Sequence, residues 1–254
     1  MGLHPAIYLD FSAGRFQSVS GCVPAEETVT LYVNGQPLVS MRCTPIQLDA
    51  LALGFLFNER LIRGLEEVAV IDRCGSERCV DVWLEHDIDV PAVRTITSGC
   101  SGGTTFDDLV QAHHRVNSNF QINSSQVLRM IDELSQRAIR YRQCGGLHVA
   151  GMGDGDQLLC SAEDIGRHNA LDKVAGMCLI EGRCMQDRVL LTSGRVSSEM
   201  ISKAARMGAP IVISRTSPTS LSVQLAQAWG ITLIGYARGG RFRVYSGALR
   251  VRAE

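Results

Sequence analysis

Hydrophobic and polar positions alternate in short runs through the first hundred residues, which predicts mainly β-strands. The runs TVTLYV at 28–33 and PLVSMRC at 37–43 flank Asn34-Gly35, the strongest short signal for a β-hairpin turn. A second hairpin is predicted over residues 67–85, with its turn at Gly75-Ser76. The two hairpins indicate a β-rich N-terminal region.

Between the two hairpins, a dense set of apolar residues predicts a largely buried helix from Pro45 to about Arg60. Thr44 is the expected N-cap and Gln47 the third helical residue, which together make a capping box. The segment TITSGCSGGTT, residues 95–105, follows the second hairpin and has neither helical nor strand periodicity. It is predicted to be a loop that ends where a short helix begins at Phe106.

The second half of the chain opens with a helix, a hairpin and another helix. An amphipathic helix is predicted over residues 125–140, because its apolar residues recur at helical spacing: Val127, Met130, Ile131, Leu134, Ala138 and Ile139. A hairpin is predicted around Gly153-Asp154-Gly155, and the helix that starts near EDIGRHNA is predicted to continue to about Ile180.

From residue 188 onward, strands and helices alternate regularly. The strands RVLLTS, PIVIS and ITLIGY are nearly all apolar, and the helices between them each end at a glycine. The order β-α-β-α-β with short connections implies parallel strands and right-handed crossovers. The predicted fold class is α/β: a three-layer α/β/α domain over residues 106–254, preceded by the β-rich region of residues 1–105.

Arginines follow each of the three predicted parallel strands. The strand ends are Ser193-Gly194-Arg195, Ser214-Arg215-Thr216-Ser217 and Tyr236-Ala237-Arg238-Gly239-Gly240-Arg241. In such sheets, ligands bind beyond the carboxyl ends of the strands, and the guanidinium fork suits phosphate. This edge is therefore predicted to bind an anionic, phosphate-bearing ligand. The alternative for any single arginine is a solvated side chain that pairs with a nearby carboxylate.

A second polar cluster lies at the start of the helix near EDIGRHNA. Asp164, His168 and Asp172 follow i, i+4, i+8 spacing, so a carboxylate on the same helix face would orient His168. Acidic residues at the positive end of the helix dipole, or a merely polar helix face, explain the pattern equally well. The same two interpretations, a ligand site or a merely polar position, apply to His148 in CGGLHVAG.

Cys100 differs from the other eight cysteines because it lies among glycine and serine, in SGCSGG. Glycine permits a wide range of backbone conformations, which suits a nucleophile that must meet two partners in turn. A thiolate there can attack a sulfur donor, hold the sulfur as a persulfide and present it elsewhere. The alternative is an exposed cysteine in an incidental loop.

The other cysteines indicate neither a disulfide framework nor a metal site. Their total of nine is odd and their spacing irregular, which argues against a secreted disulfide-rich fold. Cys74 and Cys79 form a C-x4-C pair, but a zinc site would need a second pair of ligands at similar spacing. No tightly bound metal ion is expected.

Composition restricts the setting of this chemistry. With 254 residues and a net charge of −1, the chain has room for a real core and gives no sign of non-specific nucleic-acid binding. No apolar run approaches the roughly 18 residues that cross a bilayer. The N-terminus lacks the basic start and apolar core of a signal peptide. A cytoplasmic protein with no membrane or nucleic-acid partner is expected.

Six motifs together resemble the FdhD family, the formate dehydrogenase accessory sulfurtransferases, over nearly the whole chain. They are NGQP with TPIQLDALALGFLFNERLI, TSGCSGG, GGLHVAG, EDIGRHNALDKVAG, SGRVSSEMISKAARMGAP and GYARGGRFRVYSG. The resemblance implies a cytidine-deaminase-like fold and a homodimer. It does not imply deamination, because the zinc elements H-x-E and P-C-x-x-C of deaminases do not occur in the sequence.

The resemblance also implies a function. Proteins of this family receive sulfur from a cysteine desulfurase and pass it to the molybdenum cofactor that carries two guanine dinucleotides, which formate dehydrogenase needs. Cys100 corresponds to the persulfide-bearing cysteine. Combined with the arginine edge, the predicted cofactor-binding residues are Ser193, Arg195, Ser214, Arg215, His168, Tyr236, Ala237, Arg238, Gly239, Gly240 and Arg241.

The chain departs from the family at one position of the loop. Many members carry C-x-x-C there, whereas Gly103 occupies the second position in this sequence. Sulfur transfer is therefore expected to use a single cysteine. The alternative function is a chaperone that binds the molybdenum cofactor without sulfur-transfer chemistry. A nucleotide-utilising enzyme is less favoured, because the P-loop pattern G-x-x-x-x-G-K-[ST] does not occur.

Overall fold

The computed structural model describes residues 2–73, 75, 78–88, 95–96, 104–105 and 115–253. The helices are α1 (Leu48–Asn58), α2 (Ser124–Arg137), α3 (Ile139–Cys144), α4 (Arg167–Ile180), α5 (Ser198–Arg206) and α6 (Ser220–Ala228). Among these described helices, none combines the length and the apolar character needed to cross a membrane.

The strands of the first half are β1 (Leu3–Ser12), β2 (Arg15–Pro24), β3 (Glu27–Val33), β4 (Gln36–Cys43), β5 (Val68–Asp72), β6 (Cys79–Leu84), β7 (Thr95–Ile96) and β8 (Thr104–Thr105). The strands of the second half are β9 (Ile122–Asn123), β10 (His148–Gly153), β11 (Leu158–Asp164), β12 (Val189–Thr192), β13 (Ile211–Ser214), β14 (Thr232–Arg238), β15 (Arg241–Ser246) and β16 (Val251–Arg252).

A six-stranded sheet with the order β11-β10-β12-β13-β14-β15 forms the centre of the molecule. Its strands β12, β13 and β14 are parallel neighbours joined through α5 and α6, which confirms the predicted β-α-β-α-β unit. The other three strands extend this unit with antiparallel pairing. The predicted α/β class is confirmed, and the likeness to cytidine deaminases stays a prediction.

Helices cover both faces of the central sheet. Alternate residues of the parallel strands, such as Leu191 and Ile213, pack against the apolar side of α2. The residues between them, such as Leu190 and Val212, belong to a second core that includes α4 and α5. This two-sided burial explains why the strands are apolar along their whole length.

The first-half hairpins form a four-stranded sheet with the order β4-β3-β6-β5, and both predicted hairpins are confirmed. Asn34 and Gly35 have φ angles of 51° and 76°, as a two-residue hairpin turn requires. The helix α1 packs between this sheet and α4, so one apolar core extends from the N-terminal sheet to the central sheet. The domain boundary at residue 105 stays a prediction.

The start of α1 differs from the prediction. The helix begins at Leu48, its N-cap Gln47 adopts a left-handed conformation with φ 53°, and that side chain makes no capping hydrogen bond. Thr44, the predicted N-cap, is fully buried elsewhere: its N–H donates to Asp164 Oδ2 at 3.1 Å, and its carbonyl accepts from Lys173 Nζ at 2.9 Å. The backbone of Thr44 therefore completes a buried ion pair instead of opening a helix.

The predicted helix over residues 125–140 is two helices. Helix α2 begins at an Asn123–Gln126 capping box and ends at Arg137, and Ala138, with ψ 67°, separates it from α3. Val127, Met130, Ile131 and Leu134 are buried as predicted, whereas Ile139 is 56% exposed. The break turns Ile139 away from the apolar stripe that it was predicted to continue.

The ends of the predicted loop at residues 95–105 are short strands, because β7 and β8 pair antiparallel through Thr95 with Thr105 and Ile96 with Thr104. The residues between them, which include Cys100, lie outside the described residues, as does the helix predicted to begin at Phe106. A further hairpin, β1 with β2, was not predicted. It forms a separate two-stranded sheet.

Candidate functional site

The carboxyl ends of the parallel strands meet at one edge of the central sheet, as predicted. Register places Thr192 of β12 beside Ser214 of β13, and β14 follows on the other side. A cavity of about 230 Å³ lies at this edge, and Ser193, Arg215 and Arg238 all line it. The structure thus brings together one predicted site residue from each of the three strand ends.

A second cavity of about 290 Å³ adjoins the same edge. Tyr236, Arg238, Arg241, Phe242 and Arg243 line it, so Arg238 belongs to both cavities. The guanidinium group of Arg243 lies 4.4 Å from the centre of the Tyr236 ring, within the range of a cation–π contact. The two cavities form one cationic surface, which we call the arginine edge.

The arginines of this edge remain open to an anion. Within the described part of the chain, Arg215 and Arg238 make no ion pair with a carboxylate. Solvated arginines neutralised by nearby acids were the alternative interpretation, and the described geometry does not favour it. The arrangement suits an anionic ligand that accepts hydrogen bonds from several guanidinium groups.

The end of β14 has an irregular backbone that shapes the arginine edge. The pairing of β14 with β15 shifts register between Gly235 and Arg238. At this bulge Tyr236 adopts φ 52°, and its N–H donates to the Thr216 carbonyl at 3.0 Å. A left-handed tyrosine is costly, and such conformations are concentrated at binding and active sites. The bulge places the Tyr236 ring in the wall of the larger cavity.

Some predicted site residues support the edge without facing its cavities. Ser214 is fully buried, and its hydroxyl donates to the Gly194 carbonyl at 2.7 Å. Ala237 is 1% exposed and packs in the core. Gly239 and Gly240, with φ 60° and 71°, form the two-residue turn between β14 and β15, for which positive φ values are required.

His148, for which the sequence left two interpretations open, belongs to the site. It lines the smaller cavity together with Ser193 and Arg215. Burial, followed by the positive charge of Arg167, lowers the pKa of His148, and Arg195 acts in the same direction. The imidazole is therefore neutral at physiological pH and can donate or accept a hydrogen bond. No local sequence pattern predicts that His148 lies at this edge, because it reaches the edge through the antiparallel pairing of β10 with β12.

His168 lies behind the arginine edge. Its Nε2 is 3.3 Å from Ser197 Oγ and 3.9 Å from Glu199 Oε2 at the start of α5. Burial, followed by the charges of Lys203 and Arg167, lowers its pKa to about 3. Arg167, the residue before His168, packs against Gly194 at the edge: a Cβ on Gly194 would lie 3.0 Å from the Arg167 Cβ and 3.2 Å from the His148 Nδ1.

The carboxylates four residues before and after His168 have other partners, so of the two interpretations left open, the geometry does not favour the one in which a carboxylate orients His168. Asp164 ends β11, and its Oδ2 accepts from Lys173 Nζ at 2.6 Å. Asp172 accepts from Lys203 Nζ at 2.7 Å. Both carboxylates form ion pairs with buried lysines, because a buried charge is stable only when it is paired.

The cysteines divide by burial. Cys43, Cys160 and Cys178 are buried, and burial raises the pKa of Cys43 to about 12. Cys22 and Cys144 are half-buried, and Cys184 is exposed. Within the described residues, no group of three or more His, Cys, Asp or Glu side chains is arranged to hold a metal ion.

Comparisons with known proteins agree on one family. The model of the FdhD/NarQ family matches residues 24–252. The sulfur carrier protein FdhD of Listeria innocua is 34% identical and that of Bacillus subtilis 35% identical, and each match covers 95% of this chain and 95% of the relative.

A solved structure supports the same assignment. A crystal structure described as a formate dehydrogenase accessory protein from Desulfotalea psychrophila superposes with a TM-score of 0.84 at 25% identity. The superposition covers 99% of this chain and all of the other. With the sequence matched from residue 24 to residue 252 and the fold matched throughout, the chain belongs to the FdhD/NarQ family.

Proposed function

We propose that the protein is a sulfur carrier that acts in the maturation of formate dehydrogenase. The names of its relatives and of its structural neighbour support this role. The observation that carries the proposal is the arginine edge, because Arg215 and Arg238 line adjoining cavities without carboxylate partners among the described residues. Such an edge suits the phosphates of a nucleotide-bearing sulfur acceptor.

In this proposal Cys100 carries the sulfur. Its thiolate attacks the terminal sulfur of a persulfide on a cysteine desulfurase. A new S–S bond forms at Cys100 as the S–S bond of the desulfurase breaks, and the desulfurase cysteine leaves as a thiolate. One sulfur atom moves between two cysteines with no net gain or loss of electrons. Cys100 lies outside the described residues, so its assignment rests on the sequence and the family.

The acceptor in this proposal is the molybdenum cofactor with two guanine dinucleotides, bound as a substrate at the arginine edge. Arg215 and Arg238 would hold its phosphates through charge-assisted hydrogen bonds, and the Ser193 and Thr216 hydroxyls line the same cavity. The neutral imidazole of His148 adds a hydrogen-bonding group without a like charge. The two adjoining cavities together approach the size of typical small-molecule sites.

The proposal includes three further elements: the protein works in the cytoplasm, forms a homodimer, and meets both a cysteine desulfurase and formate dehydrogenase. The family resemblance supports these elements. The homodimer is tested by measuring the mass of the protein in solution by light scattering.

Persulfide formation tests the central step. The full chain is incubated with a cysteine desulfurase and L-cysteine, and peptides are then analysed by mass spectrometry. We expect a mass increase of about 32 Da, one sulfur atom, on the peptide that contains Cys100. The variant Cys100→Ser should lose the label and the ability to activate formate dehydrogenase, while Cys184→Ser, which removes an exposed thiol, should keep both. Labelling that persists in Cys100→Ser would contradict the proposal.

A second candidate function is a chaperone that binds the molybdenum cofactor and hands it over without sulfur chemistry. The observation that favours it is Gly103, which stands where many family members have a second cysteine. The variant Cys100→Ala separates the two candidates. Full activation of formate dehydrogenase by this variant would establish the chaperone, and loss of activation with intact guanosine diphosphate binding would establish the sulfur carrier.

A further inference from the structure

A cavity of about 350 Å³ lies at the end of the central sheet opposite the arginine edge. Gly230 and Ile231, which connect α6 to the start of β14, line one side of it. Arg115, from the segment before β9, and Arg250, from the segment before β16, line the other side. We call it the Arg115 cavity. The seven residues of β14, about 20 Å of extended chain, separate it from the arginine edge.

Two guanidinium groups converge on Gly230 in this cavity. Arg250 Nη1 donates to the Gly230 carbonyl at 2.9 Å, and Arg115 Nε lies 3.0 Å from the position that a Cβ on Gly230 would take. The Val116 N–H donates to the Trp229 carbonyl at 2.8 Å, which holds the segment of Arg115 against the end of α6. The backbone thus places two positive charges side by side.

No carboxylate pairs with either guanidinium group within the described part of the chain. Neither arginine forms an ion pair there, and the Arg115 side chain makes no hydrogen bond. Asp187 accepts a hydrogen bond from Ser118 Oγ at 2.5 Å instead. Burial and then the charge of Arg115 lower the pKa of Arg250, and the charge of Asp187 raises it by less. The surroundings of Arg250 are therefore short of negative charge.

Backbone contacts explain the position of Arg250 but leave its charge unbalanced. Arg250 Nη1 and Nη2 donate to the carbonyls of Gly230 and Ser118, and so join two segments of the chain. Its Nε is buried and has no hydrogen-bond partner among the described residues. The C-terminus of α6 contributes about half a negative charge, which offsets only part of two positive charges. An anion between the guanidinium groups would balance the remainder.

We propose that the Arg115 cavity binds the phosphate group of a small molecule, at a site separate from the arginine edge. Guanidinium groups present paired N–H donors that match phosphate oxygens. The carboxamide side chains of Asn119, Gln121 and Gln227 line the same cavity and can hydrogen-bond to the polar groups that a phosphate ester carries. The volume of the cavity falls within the range of small-molecule sites.

A phosphate titration followed by NMR tests the site on the full chain. Backbone amide signals are recorded as inorganic phosphate or, separately, glycerol 3-phosphate is added at constant ionic strength. We expect the signals of Gly230 and Gly247, which both line the cavity, to shift and to saturate. Tighter binding of one probe would identify free phosphate or the phosphate ester as the preferred ligand. The absence of a saturating shift at these glycines with both probes would overturn the proposal.

Matched variants complete the test. Arg115→Met should weaken phosphate binding at Gly230 roughly 10-fold or more, because it removes a charged hydrogen-bond donor. The Arg115 side chain is exposed, so the substitution leaves the core intact. Arg129→Met, which removes another exposed arginine, should bind as the natural chain does. Equal affinities for these two variants would overturn the proposal.

A further variant separates this site from the proposed sulfur-transfer function. Arg238→Met changes the arginine edge and should leave the shifts at Gly230 unchanged, since Arg238 lies at the other end of β14. Loss of the Gly230 shifts in Arg238→Met would show that the two cavities do not bind independently and would overturn the separate site. The signals report phosphate binding without any chemistry at Cys100, so either proposal can fail alone.

Discussion

Buried charges explain much of the polar motif EDIGRHNALDKVAG. The Lys173 side chain has no exposed surface, and its ammonium group donates to Asp164 Oδ2 at 2.6 Å and to the Thr44 carbonyl at 2.9 Å. Lys203 donates to both oxygens of Asp172 at 2.7 Å. Removing one partner of such a pair would leave an unpaired charge in the interior, which is strongly destabilising. These ion pairs therefore fix how α4 meets α5 and the end of β11.

His168 leads to a pH dependence of stability. Burial, followed by the charges of Lys203 and Arg167, lowers its pKa from 6.5 to about 3. As the pH falls below about 6.5, His168 takes up a proton in the unfolded chain but stays neutral in the folded protein. The contribution of His168 to stability is therefore complete above that pH and is lost as the pH falls towards 3. We expect this residue alone to lower the free energy of unfolding by about 1.5 kcal/mol between about pH 6.5 and pH 5.

Urea denaturation of the natural chain and of His168→Gln measures this contribution. The variant should lose less stability than the natural chain as the pH falls, whatever its stability at neutral pH. The matched control is His4→Gln, because His4 is an exposed histidine at the N-terminal hairpin. Equal pH slopes for the natural chain and His168→Gln would contradict the assignment.

At the scale of elements, two glycines allow α1 and α4 to cross in close contact. A Cβ on Gly54 would collide with the Asp172 carbonyl oxygen, and one on Gly176 would collide with the Ala50 carbonyl oxygen. Glycine within a helix normally costs about 1 kcal/mol relative to alanine, so alanine should stabilise an uncrowded helix. Close backbone packing reverses that expectation here.

We therefore expect Gly54→Ala and Gly176→Ala each to lower the free energy of unfolding by about 1–3 kcal/mol, the usual cost of overpacking. Urea denaturation with fluorescence detection measures the change. The control is Gln136→Ala on the exposed side of α2, which should change stability little. A glycine variant as stable as the natural chain would show that the helices can separate without cost.

The elements that local patterns define were predicted well, and those that depend on distant contacts were not. The Asn34-Gly35 hairpin and the β12–β14 unit carry their own turn and periodicity signals. The predicted start of α1 was wrong because the Thr44 N–H donates a hydrogen bond to Asp164, which lies far along the chain. The N-terminal hairpin was missed because its apolar side chains are exposed, on a two-stranded sheet of its own, among the residues that the structure describes.

The same distinction holds for the candidate site. Ser193, Arg215 and Arg238 could be placed together from the sequence because parallel strands put their carboxyl ends at one edge. His148 could not be placed with them, because β10 enters the sheet antiparallel beside β12 and the order of elements does not specify that position. The neighbours of His168 could not be predicted either, because Ser197 and Glu199 lie at the start of a different helix.

At the scale of the whole molecule, positive charge is concentrated although the chain is almost neutral. The net charge is −1, yet Arg215, Arg238, Arg241 and Arg243 line two adjoining cavities at one end of the central sheet. A cleft lined by one sign of charge attracts ligands of the opposite sign, and added salt screens that attraction. Guanosine diphosphate is a suitable probe of this edge, because it carries the guanine and phosphate groups of the proposed acceptor.

Arg238 should contribute most to binding of this probe, since it lines both cavities. A hydrogen bond to a charged group contributes about 1.5–3 kcal/mol, so Arg238→Met should weaken guanosine diphosphate binding roughly 10- to 100-fold in isothermal titration calorimetry. The matched control is Arg129→Met, which removes an exposed arginine that pairs with Asp156. Equal affinities for Arg238→Met and Arg129→Met would place the nucleotide elsewhere. Loss of affinity in Arg238→Met alone, with the remaining affinity less sensitive to salt, would assign phosphate binding to the arginine edge independently of any chemistry at Cys100.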